Sequence, residues 1–492
     1  MLPILAASAL LATSLAAAPP TGDTVVRTDL GPVRGISDET TRTYRAIPYA
    51  APPSGDRRWR SPQPAARWNG VRDATRYGAS CPQTEHPIGV AGTNEDCLFV
   101  DVTTPKRASK DLPVVVWIHG GSFTHGANSV YGTKRLAAQG ELVVVQVQYR
   151  LGALGFLAGN YGLEDQQEAL RWVQRNAKAF GGDPRNVTIM GESAGAYSVC
   201  DHLASPTAEG LFHRAIVQSG PCAQEYSTTN YAAPRPRPVA EKYRRDLTTK
   251  LGCSTTECLR AVPIEKLLAA TADYEFGPVL DGPLLPLHPA QALLTGRVNR
   301  VPVLHGINHD EEHGRYGAQE AATGVPITQA EYEKAVRAQF GAKASTVLAE
   351  YADVAPAGLA LSTVMTDSQW AAPAYRTNQL LSLRMPTYTF EFAGDAPWYL
   401  GLDRPGWPVG SHHMTDLTYL LDLSIFEPAD PKLSAEVIDR WSAFARTGRP
   451  DVSGTSYWPR ATPFDRKVQS LDPAGVTRTD FFSGHRLGFW TS

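Results

Sequence analysis

The chain carries almost no net charge. Its 492 residues hold 47 Lys and Arg against 49 Asp and Glu, for a formal charge of −2. Such a balance gives no reason to expect nucleic acid or an anionic membrane as partner. No C-x-x-C pair and no H-E-x-x-H run occurs among the 6 cysteines and 12 histidines. The commonest zinc signatures are therefore missing, and no metal and no cofactor is expected. Low-complexity tracts and internal repeats are absent as well. Charged residues make up 20% of the chain and hydrophobic ones 42%, an ordinary globular composition rather than a disordered one.

Long apolar runs are scarce too. Leu2 to Ala18 is apolar and Ala-rich, and Ala16-Ala17-Ala18 offers an A-x-A-like cleavage site, so a signal peptide is expected over residues 1–18. No other segment reaches transmembrane length, and stable membrane insertion is not expected. Export would place the protein, secreted or extracytoplasmic, where disulfides persist. Cys81 and Cys97 bracket a polar loop, and Cys253 and Cys258 bracket a short turn; both pairs are expected to be disulfides. Cys200 and Cys222 are left, either paired or as buried thiols, because spacing does not determine connectivity. Pro234-Arg235-Pro236-Arg237-Pro238 reads as an exposed stiff loop.

Several short apolar runs read as strands buried on both faces: Val114 to Ile118, Leu142 to Val147, Val187 to Met190, Ala215 to Val217 and Val301 to Leu304. Continuous rather than alternating hydrophobicity marks a sheet covered by helices. Between two of these runs, Gln166 to Phe180 has helical spacing and ends at Gly181-Gly182-Asp183-Pro184. Strands alternating with helices predict an α/β fold: a large, mostly parallel central sheet with helices on both faces. Thr24 to Thr28 and Pro32 to Arg34, around Gly31, predict a small N-terminal antiparallel hairpin. Thr387 to Phe392 alternates and predicts a further strand.

The pentapeptide Gly191-Glu192-Ser193-Ala194-Gly195 follows one of the strands and precedes an apolar stretch compatible with a helix. Strand, sharp turn and helix form the context of a nucleophile elbow. A serine hydroxyl needs a base, a group to orient that base, and donors for the oxyanion that develops. His119-Gly120-Gly121-Ser122-Phe123 directly follows the strand at Val114 to Ile118. Its glycines let backbone N–H groups approach a substrate closely.

These segments are not isolated. Tyr44-Arg45-Ala46-Ile47-Pro48-Tyr49-Ala50, Glu95-Asp96-Cys97-Leu98-Phe99-Val100, Asp165-Gln166, Gln218-Ser219-Gly220 and Pro278-Val279-Leu280-Asp281-Gly282 accompany them in order. With these segments the chain resembles the type-B carboxylesterase/lipase family, which includes cholinesterases and bacterial p-nitrobenzyl-type esterases. The resemblance implies an α/β-hydrolase fold, one catalytic domain over residues 23–492, and ester hydrolysis through a Ser-Glu-His triad. By the family's order, Ser193 is the nucleophile. Gly306-Ile307-Asn308-His309-Asp310-Glu311 matches the family's acid pattern and picks Glu311, although Glu312 stands where a glycine is common. Gly410-Ser411-His412-His413-Met414-Thr415-Asp416-Leu417 matches the histidine pattern and picks His413 over His412. Backbone N–H groups of Gly121, Ser122 and Ala194 then serve as the oxyanion hole, and Arg58 is expected to pair with Glu95.

Two other readings compete. His309 and His313 stand four apart, which suits a metal, but no third ligand is evident. Some relatives of this kind are non-catalytic binding proteins, but they lack a triad residue. The expected substrates are small to medium carboxylic esters, with a lipase-like preference for longer acyl chains as the alternative. Residues 82 to 96 contain no tryptophan, so the family's choline-binding aromatic is missing. Trp370 and Trp398 read as core aromatics.

Overall fold

A computed structural model describes residues 24–107, 110–227, 233–394, 396–427 and 429–491. The expected signal peptide lies outside the described residues. An 11-stranded sheet dominates. Across it run Thr477–Thr479, Val468–Leu471, Thr387–Phe392, Val303–Asn308, Arg214–Gln218, Gly182–Glu192, Leu112–Ile118, Val143–Val147, Phe99–Pro105, Thr41–Pro48 and Ile36–Ser37. The inner pairings, from Val468–Leu471 to Val143–Val147, are parallel, and the outer ones at both edges are antiparallel.

Sequence pattern explains the placement of the middle strands. Every residue of Leu112–Ile118 and of Val143–Val147 is buried, as expected for strands covered on both faces. Successive side chains point to opposite faces. Val114, Val116 and Ile118 accordingly join Leu170, Val173 and Val199 in one core cluster. Val115 and Trp117 join Val144, Ile216, Trp441 and Phe444 in another. Helix Tyr161–Asn176 supplies Leu170 and Val173, and helix Pro431–Thr447 supplies Trp441 and Phe444. The second helix has clear local boundaries. Asp430 accepts a hydrogen bond from Leu433 N–H at 2.7 Å, Pro431 fills the first turn, and Gly448 closes the end at φ 78°.

Register positions the functional edge. Gly191 lies opposite Ile118 on one side and Val217 on the other. The carboxyl ends of three parallel strands therefore stop together, which brings His119, Ser193 and Ser219 to one edge. Asn308 lies opposite Phe392 at the corresponding end of the next pair.

The expected hairpin is present as Val25–Arg27 against Pro32–Arg34, with Arg72–Asp73 added as a third strand. Strand Val303–Asn308 continues past Leu304 because its polar residues find buried partners: His305 Nδ1 lies 2.7 Å from Asn378 Oδ1. Thr387–Phe392 is buried at every position, since parallel strands flank both of its edges and other elements cover its faces. The Pro-Arg-Pro segment at 234–238 is only partly an exposed loop: Pro236 and Pro238 are exposed, whereas Pro234 and Arg235 are buried. Arg235 is fully buried, donates to the carbonyls of Phe156 and Gly277, and lies over the rings of Tyr243 and Phe276. Helix Arg237–Lys250 starts immediately after it.

Three disulfides close the structure: Cys81–Cys97, Cys253–Cys258 and Cys200–Cys222. Arg58 and Glu95 pair with two contacts of 2.6 Å. No helix among the described residues is long and apolar enough to cross a membrane.

Arg150 and Asp165 form a bidentate pair with two contacts of 2.7 Å, at 1% and 0% exposure. Removing the carboxylate leaves an uncompensated buried guanidinium, which costs about 3–5 kcal/mol. Asp165→Ala is therefore expected to lower unfolding free energy by about that amount in urea titration. A loss near about 1 kcal/mol, typical of an exposed pair, would contradict it.

Candidate active site

Ser193 sits between strand Gly182–Glu192 and helix Ala194–Ala204 with φ 54° and ψ −125°. That conformation is costly for a residue with a β-carbon. It holds because the chain around it is closely packed. A β-carbon on Gly191 would strike the backbone of Gly195, one on Gly195 would strike the Ile118 carbonyl, and one on Gly220 would strike Ala196. Ser193 N–H donates to the Gln218 carbonyl at 3.0 Å, and its own carbonyl accepts from Tyr197 N–H at 3.0 Å.

The His119–Phe123 loop leaves its strand through three successive left-handed residues: Gly121 at φ 103°, Ser122 at 55° and Phe123 at 59°. A β-carbon on Gly120 would lie 2.9 Å from the Glu192 carbonyl oxygen and 3.0 Å from the Ser193 β-carbon, so the loop lies directly against the serine. The Gly121 carbonyl accepts from Thr124 and His125 N–H groups. Among the described residues, the N–H groups of Gly121 and Ser122 donate to no other protein group. Ala194 opens the helix, where backbone N–H groups point outward. Beside Ser122 lies a cavity of about 230 Å³, lined in part by His125, Leu151, Leu154, Leu267, Glu275 and Phe276.

The acid and histidine loops are joined by backbone and side-chain hydrogen bonds. Asp310 N–H donates to the Ser411 carbonyl and His413 N–H to the Glu311 carbonyl, while Ser411 N–H donates to Asp310 Oδ2 at 2.9 Å. Glu311 is 1% exposed; its Oε1 accepts from Asn308 N–H at 2.9 Å, and its Oε2 lies 2.6 Å from His413 Nδ1. Its neighbour turns elsewhere: Glu312 Oε1 accepts from Trp370 Nε1–H at 2.9 Å. His412 is buried and stacked on Tyr399 with ring centroids 5.2 Å apart. Burial holds the His412 imidazole down, at about 4.

Ser193 does not complete the line. Among the described residues it makes no hydrogen bond to His413. Instead, His413 Nε2 lies 3.1 Å from Oε1 of Glu192, a carboxylate 1% exposed. Burial opposes a charged imidazole at position 413, but the carboxylates of Glu192 and Glu311 outweigh it and push His413 up to about 10. Burial pushes Glu192 up to about 8. One turn further on, burial raises Asp416 to about 6, while Gln218 and Asn308 donate to its two oxygens.

Three of these residues were not singled out by sequence. Glu192 occupies the first variable position of G-x-S-x-G, and strand alternation next to the serine could have pointed to it. Asp416 served only as a register mark. Trp370 is only partly a core aromatic: it packs against a buried cluster but is itself half-exposed, and its ring lies 4.8 Å from that of His413. Trp398 does lie in the core, at 1% exposure. His309 and His313 do not converge as a metal pair. Each turns a ring nitrogen toward Asp310 Oδ1, at 2.8 and 3.6 Å.

Comparison with known proteins adds a family. A sequence profile described as "Carboxylesterase family" matches residues 22–490. The chain is similar to the para-nitrobenzyl esterase of Bacillus subtilis, 34% identical over 91% of this chain and 94% of that protein. It is similar to the phenmedipham hydrolase of Pseudarthrobacter oxydans at 32%, over 92% and 96% of the two chains. It is also similar to the cocaine esterase of Homo sapiens at 32%, over 91% and 86%.

A neighbouring carboxylate favours the charged imidazole by Coulomb attraction. Glu192→Gln is thus expected to lower the His413 pKa by on the order of one unit, read by NMR titration of the ring. An unchanged titration would mean that the 3.1 Å contact carries no electrostatic weight.

Proposed function

The chain belongs to the carboxylesterase family and hydrolyses carboxylic esters, and from that premise we propose that Ser193, His413 and Glu311 carry the reaction through an acyl-enzyme on small to medium esters. The observation that supports this most directly is the 2.6 Å contact between Glu311 and His413, in front of a serine held in a nucleophile-elbow turn.

In this reading, Ser193 Oγ attacks the ester carbonyl while His413 Nε2 takes its proton. Glu311 holds the imidazole by Nδ1, fixes the tautomer and stabilises the imidazolium. For proton transfer, Nε2 exchanges its Glu192 contact for the serine hydroxyl. Catalytic hydrogen bonds in free enzymes are often long and tighten only with substrate in place. The N–H groups of Gly121, Ser122 and Ala194 receive the oxyanion. Backbone donors preset in this way need no reorganisation as charge develops. His413 then passes its proton to the leaving alkoxide, and the alcohol departs. Water, activated by the same histidine, attacks the acyl-enzyme and restores Ser193.

A cavity of about 230 Å³ borders the proposed oxyanion loop at Ser122; an acyl group seated there would be short, because drug-sized ligands need roughly 300 Å³ or more. No metal or cofactor enters this reading. The partner is a small-molecule ester, and neither nucleic acid nor stable membrane insertion is part of the proposal. Three disulfides suit an oxidising, extracytoplasmic compartment.

Ser193→Ala is expected to keep the fold by circular dichroism and to lose turnover by a factor on the order of 10⁴ or more. An organophosphonate should label Ser193 in the wild type. Wild-type turnover in the mutant would remove the assignment. A p-nitrophenyl ester panel is expected to show higher kcat/KM for butyrate and hexanoate than for laurate. The reverse order would replace the short-acyl reading with the lipase-like one.

A further inference from the structure

Close to the loop that carries Glu311 lies a second ionisable group with no part in the chemistry above. His485 is 2% exposed; its Nδ1 lies 2.6 Å from Asp367 Oδ1 and its Nε2 lies 2.6 Å from Glu391 Oε1. His309 Nδ1 lies 2.8 Å from Asp310 Oδ1, and the two imidazole rings are 5.0 Å apart. One ring nitrogen of each histidine and an oxygen of Glu391 all lie within 4.8 Å of one another. Distant parts of the chain supply these groups. His309 directly follows strand Val303–Asn308, Glu391 stands in the neighbouring strand Thr387–Phe392, and His485 follows the short helix Phe481–Gly484.

Some carboxylates of this protein meet guanidinium groups, as Asp165 meets Arg150, whereas others meet histidine, as Glu311 and Glu192 meet His413. Among the described residues, no lysine or arginine forms an ion pair with Asp310, Asp367 or Glu391; their ionic partners are histidines. The hydrogen bonding also has a direction. A metal-ligating histidine almost always directs its other ring nitrogen to a carboxylate, carbonyl or water, which fixes the ring. Asp310 and Asp367 already hold the two Nδ1 atoms, so Nε2 is the nitrogen left to ligate on each ring. Two imidazoles and one carboxylate form a donor set that suits zinc and leave a fourth position for water.

We propose that His309, Glu391 and His485 bind one divalent transition-metal ion, zinc or a close analogue, in a structural site that ties the C-terminal segment to the loop bearing Glu311. The ion replaces the proton between His485 and Glu391, and that proton leaves to solvent. Zinc–ligand bonds of about 2.0–2.1 Å place ligand atoms roughly 3.3 Å apart, so the 2.6 Å His485–Glu391 pair must open slightly while His309 closes in. The His309 side chain is 42% exposed and has the freedom to close inward.

The test uses the full-length protein after treatment with a chelator. Zinc alone is titrated in by calorimetry in two buffers of different ionisation enthalpy, cobalt is followed by its visible absorption, and Tm is read with and without zinc. One ion per chain, release of a proton and a rise in Tm are expected. His309→Ala removes the exposed ligand and leaves the buried His485–Glu391 pair in place, so it should fold. It is expected to weaken zinc binding at least tenfold and to abolish the Tm rise. Absence of zinc or cobalt binding to the wild type would overturn the site, and so would wild-type binding by His309→Ala.

Discussion

The turn at Ser193 is the constraint on which the functional edge depends. A β-carbon at Gly191, Gly195 or Gly220 would collide with the backbone or side chains that meet there. These glycines let the strand Gly182–Glu192, the helix Ala194–Ala204 and the carbonyl end of Leu112–Ile118 come into direct contact. The closeness then supports the strained backbone: Ser193 N–H is held by Gln218, and the Ser193 carbonyl is held by Tyr197. Strain of this kind costs on the order of 1–3 kcal/mol and persists only where the surroundings over-determine it. The parallel register supplies that over-determination, because Gly191 is matched on both sides at once. The same packing sets the His119–Phe123 loop against the serine. The proposed oxyanion pocket and the proposed nucleophile thus come from one packing solution rather than from two separately placed parts.

Around His413 the governing term is charge. One imidazole faces Glu311 on Nδ1 and Glu192 on Nε2, with Glu312 also contributing attraction. Burial alone would hold the ring neutral, and the carboxylates reverse this. Such an arrangement favours the imidazolium, the state that follows proton abstraction from a serine. It also opposes the neutral state that must start the proposed reaction. Glu192 relieves the conflict in part, because its own burial raises its affinity for a proton. Glu311 is fixed more firmly, by Asn308 N–H on one oxygen and by backbone bonding between the two loops. The two carboxylates therefore differ in kind: Glu311 is anchored by hydrogen bonds on both oxygens, whereas Glu192 meets His413 only through a 3.1 Å ionic contact.

Much of this was legible in the sequence, and the limits have physical causes. Valine-rich runs identified the middle strands because burial on both faces leaves no polar alternation. Order along the chain and local patterns selected Glu311 over Glu312 and His413 over His412, and the structure points those side chains toward each other. What escaped were contacts across long separations in the chain. Trp370 looked like core because an aromatic in a helical stretch usually is, and only folding sets its ring against His413. Arg235 looked exposed because a Pro-Arg-Pro segment is polar and stiff. Its guanidinium is instead met by the Phe156 and Gly277 carbonyls and the Phe276 ring, tens of residues away, and by the nearer Tyr243 ring. Cys200 and Cys222 could be paired only once the helix after Ser193 and the turn after Gly220 were placed side by side.

The two loops that present Glu311 and His413 act mechanically as one unit. Asp310 donates to Ser411, Ser411 donates back to Asp310, and His413 donates to Glu311. A shift of either loop therefore moves both members of the pair and preserves their 2.6 Å contact. Asp310 also holds His309 on the opposite side, next to the buried His485 between Asp367 and Glu391. The acid loop is thus pinned from two directions, by the histidine loop in front and by the C-terminal segment behind. Such double anchoring leaves little freedom for Glu311 relative to the sheet. In the proposed proton transfer the element that must move is then the His413 ring itself, from Glu192 toward Ser193, rather than the loop that bears it.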